Sequence, residues 1–142
     1  MGEIHRGVCF CGAVEIAVHG TPVDIGYCHC TSFRIYSGAP LVAFTIRLAS
    51  SFDVTRGADL LGGFNKVGTS DRKFCMRCGG HLFIDHPHLG VVAVRAAALP
   101  TIHFEPKAHL YYGEAVLPVK DGLPKFKDLP REIGGSGELV PE

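Results

Sequence analysis

Six cysteines carry most of the chemical potential of this 142-residue sequence, and all of them lie in close pairs: Cys9/Cys11, Cys28/Cys30 and Cys75/Cys78. An even number of cysteines fits either disulfides or a metal. The N-terminus lacks the apolar core of a secretory signal, which favours a reducing compartment and metal binding. A disulfide between cysteines one residue apart is also strained. Because two short knuckles supply the four thiolates that tetrahedral zinc takes, the spacing predicts at least one structural zinc ion.

Glycines beside two of the pairs indicate which four cysteines bind this zinc. Cys11 is followed by Gly12 and Cys78 by two glycines, whereas no glycine follows Cys30. The chain often leaves a tight knuckle with a positive φ angle, which glycine adopts without strain. This favours a zinc site made of Cys9, Cys11, Cys75 and Cys78. Spacing alone leaves a second set open, in which Cys28 and Cys30 join Cys75 and Cys78.

The segments that must position these cysteines predict a mainly β fold with little helix. Alternating and β-branched apolar runs indicate strands, and 18 glycines with nine prolines supply many turns. The predicted strands cover residues 13–19, 41–46, 52–55, 82–84, 91–95, 102–104 and 110–112. One short helix is predicted from Thr31 to Tyr36. We expect a single domain over residues 1–130 and a loose C-terminal tail over residues 131–142.

Charge and hydropathy exclude several classes of partner. The chain has 14 basic and 14 acidic residues, so it has no electrostatic footprint for nucleic acid or for an anionic membrane. No apolar run approaches the roughly 20 residues that a membrane-spanning helix needs. We therefore expect a cytoplasmic protein without a nucleic-acid or membrane partner. The sequence leaves its oligomeric state open.

The order of the cysteine pairs and their neighbours resembles one known family. The matching segments are Gly7–Val14, Cys28–Arg34, Ser37–Pro40 and Phe74–Gly80, followed by Pro100–His103 and Asp121–Phe126. Over residues 7–127 they resemble the glutathione-dependent formaldehyde-activating enzymes, a family that also includes centromere-protein-V-like proteins. Three ordered knuckles with these neighbours make a specific signal, which a lone knuckle does not.

The resemblance implies a fold, two metal sites and a reaction. The fold is a β-tent, in which antiparallel sheets meet at a structural zinc held by the first and last knuckles. In active members the middle segment reads Cys-His-Cys-x-x-Cys and holds a second, catalytic zinc with a position open for substrate. The reaction adds the glutathione thiol to formaldehyde and gives S-(hydroxymethyl)glutathione, a carbon–sulfur lyase step run in reverse.

This chain departs from the family pattern at the third cysteine of the middle segment, where it has Phe33. Phenylalanine cannot ligate zinc, and His29 is a poor substitute because adjacent residues of an extended segment point to opposite sides. We therefore expect a second zinc at Cys28 and Cys30 to be weak or absent, and the activity to be reduced or altered. Cys28 and Cys30 are the candidate catalytic residues, and Arg34 is the candidate group for a carboxylate of a glutathione-like ligand. The two thiols are alternatively without chemistry, a weak metal site or a redox dithiol.

Three hypotheses of function follow from these residues. The first is a carbon–sulfur lyase of the S-(hydroxymethyl)glutathione synthase type, acting on glutathione or another small thiol. The second is a non-catalytic, zinc-stabilised β domain that binds a small molecule or a protein partner. The third, a zinc-ribbon-like nucleic-acid binder, is disfavoured by the zero net charge and by the lack of a basic aromatic stripe.

Overall fold

The computed structural model describes residues 2–142, and its regular structure is mainly β, as predicted. The strands are β1 (Ile4–Val8), β2 (Glu15–His19), β3 (Asp24–Cys28), β4 (Val42–Leu48), β5 (Phe52–Arg56), β6 (Leu61–Asn65), β7 (Asp71–Cys75), β8 (His81–His86), β9 (Val91–Arg95) and β10 (His109–Leu110). The single α-helix of the described residues is α1 (Thr31–Ser37). One-turn 3-10 helices cover Ala49–Ser51, Ala58–Leu60, Pro87–Leu89, Ala96–Ala98, Tyr112–Glu114 and Arg131–Ile133. Nowhere in residues 2–142 is there a helix of the length and hydropathy that crossing a membrane requires.

The chain divides into two compact units. The first contains the residues up to Asp24 together with Thr45–Phe104, and the second contains Ile25–Phe44 and Glu105–Glu142. The composition of the sequence predicts one domain over residues 1–130. Each unit joins stretches that are far apart in the sequence, so no shift of composition along the chain marks the boundary between them.

The first unit is built from antiparallel strands. β2 pairs with β1 on one side and with β5 on the other, and β6, β7, β8 and β9 pair in sequence order as a meander. Val14, Ile16 and Val18 are fully buried, in agreement with the alternation of that segment. They pack in one apolar cluster with the remaining buried residues Cys9, Cys75, Leu82, Phe83, Val92, Val94 and Leu99. Two of the cysteines therefore belong to the core that holds this unit together.

The second unit places one helix after a short parallel strand pair. β10 runs parallel to β3, with His109 opposite Tyr27 and Leu110 opposite Cys28. α1 follows with Cys30 as its N-cap, one residue longer than the predicted helix. The segment expected as a tail hydrogen-bonds within this unit: the Val140 N–H donates to the Lys125 carbonyl at 2.8 Å.

Two predicted strands are wrong or shorter than expected. Residues 102–104 form no strand; instead the Ile102 N–H donates to the Leu99 carbonyl at 3.3 Å, and the Ile102 side chain packs against the core cluster. The apolar Ile102 thus reflects packing against the core rather than a strand in a ladder. The strand predicted over residues 110–112 is only His109–Leu110, because a one-turn helix begins at Tyr112.

Candidate metal centre and thiol site

The structure brings together the four cysteines that the glycine argument selects. The sulfurs of Cys9, Cys11, Cys75 and Cys78 all lie within 4.8 Å of one another. Cys9 Sγ is 3.6 Å from Cys11 Sγ, and Cys11 Sγ is 3.9 Å from Cys75 Sγ. Four sulfurs at the zinc–sulfur bond length on the corners of a tetrahedron are about 3.8 Å apart. The donor set and its spacing therefore fit one metal ion with the coordination that zinc prefers.

Backbone N–H groups point at three of these sulfurs. Val14 donates to Cys9 Sγ at 3.3 Å, Arg77 to Cys75 Sγ at 3.4 Å and Gly80 to Cys78 Sγ at 3.4 Å. Such bonds favour thiolates, which are the form that binds a metal.

Both knuckles turn at a glycine in the left-handed region. Gly12 has φ 80° and Gly79 has φ 75°. The Gly12 N–H donates to the Cys9 carbonyl at 3.0 Å and the Gly79 N–H to the Cys75 carbonyl at 2.7 Å. A residue with a Cβ is strained at these angles, which is the physical basis of the glycine signal in the sequence.

The close contacts of the sulfurs shift the pKa values of Cys9 and Cys11 in opposite directions. Burial raises the pKa of Cys9, but the Val14 N–H and the contacts with the other sulfurs outweigh it and lower the value to about 6. The Ala13 N–H lowers the pKa of Cys11, but burial and the contacts with its partner sulfurs raise it to about 11. A divalent cation removes this conflict, because it ionises all its thiol ligands and neutralises their charge.

Cys28 and Cys30 lie in the second unit, where β3 ends and α1 begins. Cys28 is buried, and its thiol hydrogen-bonds to the sulfur of Cys30. Cys30 Sγ also accepts the Phe33 N–H at 3.4 Å. The hydrogen bond to Cys30, burial and the nearby negative charge of Glu114 together raise the pKa of Cys28 well above the ordinary thiol value. Cys28 is therefore the thiol that keeps its proton, and Cys30 is the acceptor.

The middle segment does not have the ligands of the second zinc that the family resemblance implies. Phe33 has no donor atom, and its ring is half-buried on α1. The four-cysteine cluster of the first unit is the one group of three or more metal-ligating side chains within residues 2–142, so no histidine or carboxylate completes a site at Cys28 and Cys30. The donor set therefore does not fit a resident zinc ion there.

Two opposite charges lie beside the thiols at the start of α1. Glu114 Oε1 accepts the Thr31 N–H at 2.9 Å and the Thr31 hydroxyl at 2.7 Å. Arg34 Nη2 donates to the same hydroxyl oxygen at 3.0 Å, and its Nε donates to the His29 carbonyl at 3.2 Å. The guanidinium also borders a shallow depression of about 280 Å³ with Ile35 and Val116 on its wall. Arg34, the predicted carboxylate-binding residue, thus lies next to the thiol pair.

The side chain of His29 anchors the thiol segment in a buried polar network. His29 Nε2 lies 2.8 Å from His109 Nδ1, and His109 Nε2 lies 2.7 Å from Asp121 Oδ2. Lys125 Nζ donates to Asp121 Oδ1 at 2.8 Å and to Glu142 Oε2 at 2.9 Å. His29, His109 and Lys125 are almost completely buried. Burial, together with the positive charges near it, lowers the pKa of His29 to about 4.

His109, Glu142 and Glu114 were not predicted from the sequence, and Asp121 and Lys125 were noted only as part of a matching segment. That segment, Asp121–Phe126, resembles the family and was the available signal for these two residues. Glu114 and Glu142 carry no local motif. They act on residues that are distant along the chain.

The chain is mainly β, and its two short cysteine knuckles form one cluster that can bind a metal. These features are typical of small β proteins whose fold is stabilised by a metal ion held at cysteine knuckles. Within this class, the sequence profile of the glutathione-dependent formaldehyde-activating enzymes matches residues 4–114. The match covers more than half of the chain, and the chain belongs to this family.

Two individual proteins are similar to it. An uncharacterized lyase of Schizosaccharomyces pombe is 25% identical over 79 residues, which are 56% of this chain and 56% of that protein. The chain thus matches little more than half the length of this curated relative. A crystal structure of a Rhodobacter sphaeroides protein superposes with a TM-score of 0.57 at 26% identity, covering 69% of this chain and 90% of that one.

Proposed function

We propose that this chain adds the thiol of glutathione, or of a related small thiol, to formaldehyde, which is a carbon–sulfur lyase reaction run in reverse. Family membership and the lyase name of the S. pombe relative support chemistry of this type. One observation carries the proposal: Cys28 and Cys30 share a hydrogen bond at the start of α1, and Cys30 Sγ accepts a backbone N–H. This is an arrangement in which a sulfur can take and return a proton.

The reaction moves one proton from sulfur to oxygen. The sulfur of the substrate thiol bonds to the carbonyl carbon, the π bond of formaldehyde breaks toward its oxygen, and S-(hydroxymethyl)glutathione results. We assign to Cys30 Sγ the uptake of the proton from the substrate thiol and its delivery to the oxygen. The Cys28 thiol holds Cys30 in place and stabilises its charged form by donating to it.

Arg34 and the four-cysteine cluster have supporting roles in this proposal. Two of the donor nitrogens of Arg34 are bonded to Thr31 and His29, and its guanidinium binds a carboxylate of the substrate. Cys9, Cys11, Cys75 and Cys78 hold a zinc ion that stabilises the fold and takes no part in the reaction. Because Phe33 removes the third sulfur of the middle segment, the activity is reduced or altered relative to members that keep it. All six cysteines are free, which supports a cytoplasmic location.

The test is the rate of adduct formation between glutathione and ¹³C-labelled formaldehyde, followed by NMR. The proposal expects a rate above the uncatalysed reaction, and a loss of about 100-fold in the enzyme-dependent rate for Cys30→Ala. Ser32→Ala changes an exposed residue two positions further on and serves as the matched control. An enzyme-dependent rate of zero, or one that Cys30→Ala leaves unchanged, contradicts the proposal.

The second candidate function is a non-catalytic, zinc-stabilised β domain that binds a small molecule or a protein partner. Phe33 favours it, because an apolar ring stands where active members of the family have a metal ligand. Under this alternative, glutathione binds without any acceleration of the reaction with formaldehyde. The same NMR experiment separates the two candidates.

A further inference from the structure

The carboxylate of Glu114 and the sulfur of Cys30 occupy the same end of α1. Glu114 Oε1 accepts the Thr31 N–H at 2.9 Å, and Cys30 Sγ accepts the Phe33 N–H at 3.4 Å. Two N–H groups two residues apart in the first turn of a helix point in the same direction. The carboxylate and the thiol therefore both cap the N-terminal end of α1.

Glu114 keeps one oxygen for a further partner. Both of its hydrogen bonds go to Oε1, and Oε2 accepts none from residues 2–142. The side chain forms no ion pair within that range, and the residue is exposed. The two hydrogen bonds from Thr31 use only Oε1, so Oε2 is available to a cation that approaches the thiol pair.

Arg34 offers the complementary group. Its Nη2 and Nε are held by the Thr31 hydroxyl and the His29 carbonyl, whereas Nη1 has no acceptor in the described chain. The Thr31 hydroxyl oxygen lies 2.7 Å from Glu114 Oε1 and 3.0 Å from Arg34 Nη2. One hydroxyl thus fixes a carboxylate and a guanidinium as neighbours, each with an open hydrogen-bonding position.

We propose that Glu114 and Arg34 together bind the α-amino-acid head group of the thiol substrate, with its ammonium on Glu114 and its carboxylate on Arg34. The inference deepens the proposed function and rests on it for the identity of the site. A head group with both charges matches the pair, whereas a thiol that lacks the ammonium leaves the Glu114 carboxylate facing an apolar or anionic group. Glutathione carries such a head group on its γ-glutamyl residue. Glu114 is then the residue that selects for it.

The negative charge of Glu114 acts on the Cys28 thiol. This charge contributes to raising the pKa of Cys28 and, after burial and the charges of the two cysteines, the pKa of Tyr111. A carboxylate at this position opposes ionisation of Cys28 when no substrate is bound. An ammonium group on Glu114 offsets that effect.

Protection of Cys30 against alkylation tests the inference without formaldehyde. Iodoacetamide, which is uncharged, modifies Cys30, and peptide mass analysis gives the rate at this residue. S-methylglutathione carries the head group but has no reactive thiol, and N-acetyl-S-methylglutathione lacks only the ammonium charge. In the wild-type protein we expect acetylation to raise the concentration needed for half-protection by about three- to tenfold.

Variants assign the effect to Glu114. Glu114→Gln keeps an oxygen for the Thr31 N–H and removes the charge; we expect it to weaken protection by S-methylglutathione about three- to tenfold and to abolish the difference between the two ligands. Glu132→Gln, an exposed residue of the same unit, is the control and should retain the wild-type difference. Arg34→Gln should weaken protection by both ligands equally.

The outcomes separate this inference from the enzymatic proposal. Equal protection by the two ligands in the wild-type protein, no protection by either, or an unchanged difference in Glu114→Gln overturns the role of Glu114. Charge-dependent protection in a protein that does not accelerate the formaldehyde reaction upholds the head-group site and rejects the enzyme.

Discussion

Nε2 of His29 lies 2.8 Å from Nδ1 of His109, and both rings are completely buried. Together with the Asp121 carboxylate, this bond sets the tautomers of the two neutral rings. The carboxylate of Asp121 has its pKa lowered by Lys125 and His109, which outweigh the effect of burial, and it can only accept. With both rings neutral, His109 donates from Nε2 and accepts at Nδ1 from His29, which leaves His29 Nδ1 as a lone pair with no partner in the described chain.

This network connects the thiol segment to the C-terminal part of the second unit. His29 separates the two cysteines in the sequence, whereas Asp121, Lys125 and Glu142 lie about 90 residues or more further along the chain. The net contribution of a buried network to stability is modest, but breaking it leaves charged groups without partners. The network therefore makes the position of Cys28 and Cys30 dependent on distant residues.

His109→Ala should destabilise the protein by about 3–5 kcal/mol, because it leaves the Asp121 carboxylate and the His29 ring short of their partners. Urea unfolding followed by circular dichroism measures the change in free energy. His88→Ala, at an exposed histidine, should change it by no more than about 0.5 kcal/mol. A loss below 1 kcal/mol for His109→Ala would show that the network does not hold the segment.

Stability should depend on pH through Glu142. Hydrogen bonds from Lys125 and from the N–H groups of Gly122 and Asp121 lower the pKa of Glu142 from 4.5 to about 2. The unfolded chain therefore protonates Glu142 at a higher pH than the folded chain does. The contribution of Glu142 to the free energy of unfolding is full above the ordinary carboxyl pKa and disappears as the pH falls through about 2.

Glu142→Gln should therefore be less stable than the wild-type protein near neutral pH, and the difference should shrink on acidification. The measurement is urea unfolding of both proteins over this pH range, with Glu132→Gln as the control for loss of a charge. A difference that is independent of pH would refute the ion pair with Lys125.

The purified protein should contain about one zinc ion per chain when no metal is added. The four sulfurs of the first unit fit one ion, and the middle segment has only two. Elemental analysis measures the ratio. Phe33→Cys supplies the missing third sulfur and should raise the ratio to about two. A wild-type ratio of two would instead return metal chemistry to Cys28 and Cys30.

Cys78→Ser should unfold or become insoluble, whereas Cys30→Ser should fold. A structural zinc contributes on the order of 10–16 kcal/mol of apparent binding energy, which is comparable to the whole stability of about 5–15 kcal/mol of a typical domain. At Cys30, the N-cap of α1, serine is a favourable residue and should change stability by less than about 1 kcal/mol. Soluble expression and thermal unfolding compare the two variants, and equal stability would disprove the assignment of the ligands.

The sequence by itself determined the features that depend on neighbouring residues. The knuckle spacing, with Gly12 and Gly79, predicted which four cysteines cluster. This was possible because a tight turn and its positive φ angle are local properties of the chain. The helix after Cys30 and the strand that contains Val14, Ile16 and Val18 also follow from local signals. The mainly β fold and the family were predicted correctly for the same reason.

Strands without alternation escaped the sequence analysis. β6 begins Leu61-Gly62-Gly63 and β7 is largely charged, so neither shows an apolar face. They form because β7 finds partners on both sides, β6 and β8. Pairing in a sheet depends on backbone hydrogen bonds with a neighbouring strand, and such bonds leave no mark on composition.

Only the tertiary structure decided what surrounds Cys28 and Cys30. Glu114 bonds to Thr31 from 83 positions further along the chain, and His109 bonds to His29 from 80 positions away. Each of these polar side chains reads in the sequence as an ordinary residue of a turn or strand. Chain folding brings them together, since hydrogen bonds and burial depend on distance in space and the sequence records only distance along the chain.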